Sequence, residues 1–440
     1  MLKKSIPINR ITNPNPHASR LQIWKSILII VLFFSSISIT QAQDKKLEMT
    51  GFLEYLNNTW IPQGEIYNTI GMTDWQNQSS IYNRFNVWWT PHKNLVFYAG
   101  MRNNFTYGPL VANYNDLFSL AGMDYNKLIT YDNGYLDLTF IIADGKSYIL
   151  YTNFDRLSMQ WTLDKFELTV GRQRINWGVN MIWNPNDIFN AYNYFDFNYI
   201  ERLGSDAIKM ELYTGDFSSV QIAGKLSYVQ SLNDSMQINE ELKLTTAAMY
   251  KFNKWNYDFQ VFGGYMLTDF TAGLGWAGDI AGAGFTGEVS WFLDQENFAD
   301  TNGVLVASIA VNYTFKNSIF INFSGIYNSA GASGPANANI GGFLGSASSI
   351  FATNLNAKNL TRSKFDIFGQ ISYPVTPLIN LSLASIYNPY DKSVYVGPSV
   401  TFSLTDNISL LLNGQLFWGE ELTEFGDIGQ MVFLDLKWSF

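Results

Sequence analysis

Gly429 to Phe440 reads GQMVFLDLKWSF. Val432, Leu434, Leu436, Trp438 and Phe440 recur at every second position and alternate with Asp435, Lys437 and Ser439, the pattern of a β-strand with one apolar and one polar face. Working back from this strand, the same theme fills the chain from Leu47 onward. About ten alternating residues run into a tight turn, a second such segment follows, and a longer polar connection comes next. Tight turns fall at 90–94, 163–165, 214–216, 251–254, 316–317, 374–377 and 405–407. Longer connections fall near 61–78, 107–147, 178–205, 229–240, 294–302, 328–362 and 419–427. Alternating short and long connections are what an outer-membrane barrel uses, with turns in the periplasm and loops outside. The expected fold is all-β, a transmembrane antiparallel outer-membrane β-barrel of about 18 strands, with 16 to 20 compatible with the pattern. The stretch 130–147 is the least regular, and Tyr135 to Ile142 reads either as a strand of its own or as part of a folded loop.

Composition excludes the other ways of crossing a membrane. Aromatics make up 16% of the residues, yet mean hydropathy is near zero. After the N-terminal region no stretch approaches the roughly 20 apolar residues of a spanning helix. Helices and closed barrels are the only backbones that satisfy their own hydrogen bonds in lipid. At the N-terminus, Lys3, Lys4, Arg10, Arg20 and Lys25 precede the apolar run Ile27–Phe34, and Thr40-Gln41-Ala42 offers small residues at a cleavage position. Residues 1–42 therefore read as a Sec signal peptide and 43–440 as the barrel. Setting 1–42 aside leaves 23 of the 28 basic residues against 37 acidic ones, an acidic balance that disfavours nucleic acid as a partner. The chain has no Cys, so neither disulfides nor thiolate metal sites are expected, and no cofactor or metal is implied. Only His17 and His92 could serve as an imidazole base, and the first lies in the leader, so an enzyme is not expected. A receptor with a 22-stranded barrel and a plug would need a longer chain.

The apolar parity of each strand fixes which residues face lipid and which face the lumen. Phe85, Val87 and Trp89 go out and Arg84 goes in; Leu95, Phe97, Ala99 and Met101 go out and Arg102 goes in. Leu157, Met159 and Trp161 go out and Arg156 goes in, which leaves Asp155 on the wrong face unless a bulge intervenes. In Phe166–Trp177 the parity of Phe166, Leu168 and Val170 would carry Arg172 and Arg174 outward, at roughly 2 to 4 kcal/mol for each mid-bilayer Arg. A bulge at Gly171 is expected to turn both inward and to send Ile175 and Trp177 out. Arg84, Arg102, Arg156, Arg172 and Arg174 would then form a basic ladder on one wall, facing Asp258, Glu288, Asp366 and Asp435 across the pore constriction. Asn184-Pro185-Asn186-Asp187 reads as a helix start, with Asn184 as the cap and Asp187 near the positive end of the dipole. The long connection after Trp177, including Trp183, Tyr192 and Tyr194, is expected to fold into the lumen as a constriction loop.

GRQRINWG (171–178) followed by WNPNDIFN (183–190) resembles the signature of a porin-like outer-membrane family related to the alginate-export channels. The resemblance extends through Gly263–Trp291 and the terminal strand. It implies a channel, and on the alginate side a strongly basic lumen, from which this acidic chain departs. The expected function is a porin-like channel for diffusion of small polar or charged solutes. The competing one is a polysaccharide or surface-glycan export channel in which Trp177, Trp183, Tyr192, Tyr194 and Phe195 would form a slide for an oligosaccharide. Expected partners are outer-membrane lipids and the assembly machinery, which would read Trp438 and Phe440 as an assembly signal. The expected location is the outer membrane of a Gram-negative bacterium.

Overall fold

Period-two segments with one apolar face pair edge to edge, because each strand can bury that face only in lipid and satisfy its backbone only on a neighbour. The computed structural model of the chain describes residues 46–64, 67–68, 71–120, 122–199, 201–232, 238–296, 302–336 and 355–440. The leader expected at 1–42 lies outside the described residues. The strands begin with β1 (Leu47–Ile61), β2 (Gln76–His92), β3 (Leu95–Tyr107), β4 (Thr139–Gly145), β5 (Tyr148–Leu163) and β6 (Phe166–Gln173). Next come β7 (Ser205–Gly215), β8 (Ser218–Leu232), β9 (Ile238–Lys254), β10 (Tyr257–Leu267), β11 (Asp269–Ile280), β12 (Ala283–Asp294) and β13 (Val304–Thr314). The chain ends with β14 (Phe320–Asn328), β15 (Phe365–Thr376), β16 (Ile379–Tyr387), β17 (Val394–Ser403), β18 (Ile408–Trp418) and β19 (Gln430–Ser439). Helices α1 (Pro109–Leu120) and α2 (Tyr125–Ile129) interrupt the connection between β3 and β4.

All strands but β4 form a closed antiparallel ring of eighteen, the number read from the sequence. The ring closes where β1 meets β19, from Phe52 opposite Ser439 to Ile61 opposite Gln430. Beyond that ladder, Gly51 and Phe440 exchange backbone hydrogen bonds of 2.8 and 2.9 Å. A Cβ at residue 51 would stand 2.8 Å from the Phe440 ring, so glycine is what lets that ring lie against β1. The Phe440 ring also meets Trp438 at 5.3 Å and Phe85 at 6.0 Å on the outer surface.

One slot of the wall is shared. β5 pairs with β6 over its lower half, from Leu163 to Leu157, and with β4 over its upper half, from Asn153 to Tyr148. The hairpin of β6 and β7 is short because the chain leaves the wall after Gln173 and returns only at Ser205. The stretch before β4 fills the gap above that hairpin: the Phe154 amide donates to the Leu138 carbonyl at 3.0 Å, and the Tyr228 amide donates to the Asn133 carbonyl at 2.8 Å. β6 therefore stops four residues short of the expected Trp177. The irregular stretch 130–147 is part strand and part patch.

The expected bulge at Gly171 is absent from the pairing, whose register runs unbroken from Phe166 to Arg172. Gly171 does take a left-handed φ of 111°. The register shift lies instead on β5, where Gly100 pairs with Arg156 and Met101 with Phe154. Asp155 is the extra residue, and the bulge turns it inward.

Short turns at one end and long connections at the other orient the barrel. Cysteines introduced singly at Asn317, in the β13–β14 turn, and at Ala336, in the long connection after β14, should differ on intact cells. An impermeant thiol reagent is expected to label only Ala336→Cys; equal labelling would refute this orientation.

Candidate pore site inside the barrel

The residues between β6 and β7 lie inside the ring, against its inner face. Trp177 Nε1 donates to Gln221 Oε1 on β8 at 3.0 Å, and Gln260 Nε2 on β10 donates to the Trp177 carbonyl at 2.5 Å. On β12, Glu288 accepts the amides of Val179, Asn180 and Asn186 at 2.5, 2.9 and 2.8 Å. Ser308 on β13 donates to the Trp183 carbonyl at 2.9 Å. The Trp183 and Tyr194 rings then reach Phe368 on β15, at 6.3 and 5.4 Å. Phe195 meets Tyr395 on β17 and Phe417 on β18, and Phe197 meets Phe433 on β19 at 4.8 Å. Tyr199 completes the circuit by donating to Asp155 Oδ2 on β5 at 2.8 Å. The segment is thus an inner hoop, fastened first by hydrogen bonds and then by aromatic contacts.

Two local expectations fail here for physical reasons. Asn184 does not cap a helix. Residues 184–187 form a turn in which the Asp187 amide donates to the Asn184 carbonyl at 3.0 Å, and the Asn186 amide is already taken by Glu288. Asp187 accepts the Trp177 amide at 3.3 Å, and burial pushes its carboxyl up to about 7. Ile175 and Trp177 do not face lipid; both are buried inside, because the chain has already left the wall.

The five arginines are spread among four environments. Arg84, fully buried, holds Asp155 with two bonds of 2.5 and 2.9 Å, so the bulged residue neutralises it on its own wall. Arg102 lies between the rings of Tyr82 and Tyr199, at 4.3 and 4.5 Å. Arg172 is not in the lumen. Its register partners are Leu157, which faces out, and Asp206, and it bonds Asp206, Asp132, and the carbonyls of Phe154 and Leu136. The strand's parity runs on through Arg172, against the expected inward turn, and an ion pair covered by the patch stands where the bulge was expected.

Arg156 and Arg174 do share the interior, together with Arg202. Arg156 bonds only carbonyls, those of Asp155, Glu201 and Arg202. The Arg202 guanidinium lies 3.4 Å above the Tyr192 ring. Arg174 Nε has no hydrogen-bond partner, and burial, with Arg202 and Arg156 nearby, lowers its affinity for its proton. Among the described residues none of these three makes a salt bridge.

The acidic residues do not form the expected opposite wall. Asp258 is exposed beside the β9–β10 turn, accepting from Asn253 at 2.7 Å. Glu288 is consumed by the hoop. Asp366 lies at the outer end of β15, bonded to Thr361. Asp435 stands on β19, which adjoins β1 and so lies on the side of Arg84 and Arg102 rather than across from them. Parity assigns a face, but not a height or a position round the ring. Asp132, Tyr199, Glu201, Arg202 and Asp206 were not foreseen as partners. Asp206 carried a signal, since it occupies the apolar parity of Ile208, Met210 and Leu212, a misfit matching that of Arg172 on the adjoining strand.

No protein-family model matches the chain, and no curated protein does. Solved structures do. OccAB4 of Acinetobacter baumannii is similar with a TM-score of 0.56 at 9% identity, over 90% of this chain and 99% of that one. OccK9 (OpdG) of Pseudomonas aeruginosa is similar with a TM-score of 0.54 at 10% identity, over 90% and 98%. OpdK of Pseudomonas aeruginosa, solved with vanillate, has a TM-score of 0.51 at 9% identity, over 89% and 98%. At such identity the likeness is one of fold. The closed ring, apolar outside and polar inside, is that of a transmembrane antiparallel outer-membrane β-barrel.

Proposed function

We propose that the chain is a diffusion channel for small polar or charged solutes, narrowed by the hoop of residues 174–204 and by the guanidinium groups on the adjoining wall. The observation that carries this reading is the trio Arg156, Arg174 and Arg202. Arg174 is partly desolvated, none of the three makes a salt bridge among the described residues, and Asp187, the carboxyl that acts on Arg174 and Arg202, is itself pushed up to about 7 by burial. A guanidinium without a counter-ion in a confined space favours passing anionic groups over cations. The polysaccharide-export reading gains no such support. Trp177 and Trp183 are buried against the wall, and the rings of Tyr194 and Phe195 are engaged with Phe368, Tyr395 and Phe417, so they offer no row of open faces to a sugar. The exposed pair Trp438 and Phe440 at the chain end supports a role as assembly signal.

The test is a reversal potential across a salt gradient. Arg174→Gln combined with Arg202→Asn, the latter because residue 202 has a left-handed φ of 59° that Asn tolerates, should shift selectivity toward cations. An unchanged reversal potential in a normally folded barrel would place the trio outside the conducting path.

A further inference from the structure

At the outer end of the barrel one side chain ties three connections together. Glu424 lies between β18 and β19. Its Oε1 accepts from the Thr361 hydroxyl at 3.2 Å and the Arg362 amide at 3.3 Å, both in the stretch before β15. Its Oε2 accepts from Asn388 Nδ2 at 3.0 Å, in the connection between β16 and β17. The Glu424 amide donates to Asp391 Oδ2 at 2.7 Å, and the Phe425 amide donates to the Ser393 hydroxyl at 3.2 Å, which fastens the same two connections again.

Asp366 completes the cluster from the wall. Its Oδ2 and Glu424 Oε1 both lie within hydrogen-bond reach of the one Thr361 hydroxyl, which brings the two carboxyls side by side. The protons do not suffice unless one is shared. Thr361 has a single hydroxyl hydrogen for two carboxyl acceptors, and two buried carboxylates set side by side on one donor favour keeping a proton on one of them. Among the described residues Asp366 Oδ1 has no hydrogen-bond partner, and the residue is 1% exposed, so water does not substitute.

We propose that the Asp366–Glu424 carboxyl pair is a proton-operated latch that holds the extracellular connections together and releases them when the shared proton leaves. With the proton in place, the pair is a hydrogen bond between the β18–β19 connection and the wall. Without it, two like charges stand in contact, with Asp391 as a third and Arg362 as the cation facing them. The remaining carboxylates of the connection, Glu420, Glu421 and Asp427, add to the repulsion. The direction follows from burial, which raises the Glu424 carboxyl above its ordinary range. A group raised in this way stabilises the latched form fully below the ordinary carboxyl range and loses that contribution as pH rises through the raised value.

Spin labels test the movement directly, because the chain has no cysteine of its own. Tyr390→Cys and Glu421→Cys place labels on two of the tied connections at exposed positions. The distance between them should lengthen between about pH 5 and about pH 9 in the otherwise native barrel, and single-channel conductance should rise when the extracellular side is made alkaline. Adding Glu424→Gln, whose amide still donates to Asp366 without bringing a second charge, should keep the short distance at both pH values. An unchanged distance in the native background overturns the latch, and so does a lengthening that Glu424→Gln fails to abolish. Should Glu424→Gln not fold, Asp366→Asn makes the same comparison.

Discussion

Glu288→Ala should free the hoop and raise single-channel conductance more than any other single substitution in the lumen. Glu288 is fully buried and accepts three backbone amides, those of Val179, Asn180 and Asn186. Removing the carboxylate leaves three buried donors unpaired, at about 1–3 kcal/mol each. The hoop has no regular secondary structure of its own to absorb such a loss. Its remaining hydrogen-bonded anchors on this side are side chains that each hold one or two groups: Gln221, Lys225, Gln260 and Thr286 one each, Ser290 and Ser308 two each. The expected outcome is a larger and noisier conductance together with new protease cleavage between residues 175 and 190, in a barrel that still shows heat-modifiable migration. Native conductance and native protease resistance in the variant would mean that the aromatic half of the hoop holds it unaided.

The second large effect is expected on stability rather than on transport. Arg172→Ala removes the cation from between Asp206 and Asp132 and leaves two carboxylates buried in the wall, one of them at the parity that faces lipid. Breaking a buried ion pair from one side costs about 3–5 kcal/mol. The patch of residues 131–138 lies over this ion pair, so the loss should loosen the seam between β5 and β8 as well. The variant should unfold at a markedly lower temperature while its reversal potential stays native, the opposite of what is expected for the Arg174 and Arg202 variant. A shift in selectivity without loss of heat stability would put Arg172 back in the lumen.

The wall was legible in the sequence because lipid enforces its own rule. A strand that breaks the alternation places charge in hydrocarbon, so Phe166, Leu168 and Val170, or Val432, Leu434 and Leu436, declare their faces without ambiguity. The departure at Arg174 was not legible, since Ile175 and Trp177 resume an apolar residue at every second position on the opposite parity, which a bulge within a continuing strand accounts for equally well. They are apolar because they are buried inside the barrel, where Trp177 packs on Phe189 and on Phe262 of the inner wall, and period two does not distinguish that from lipid. Asp155 announced its bulge by its misfit, and the pair Arg172 and Asp206 announced itself in the same manner on two neighbouring strands. The partners of Glu288 were beyond reach because they are backbone amides, which carry no residue type.

The shared slot has a consequence for how such a chain can change over generations. Withdrawing residues 174–204 from the wall is what shortens β6 and β7, and β4 with the stretch before it repairs the opening that results. Neither device is useful alone. A descendant that loses the patch has a breach in its wall, and one that returns the diverted residues to the wall has no place for β4. Insertions and deletions at these two sites, separated in the chain by β5 and β6, are therefore constrained to occur as a matched pair, and a chimera that exchanges only one of them between relatives should fail to assemble.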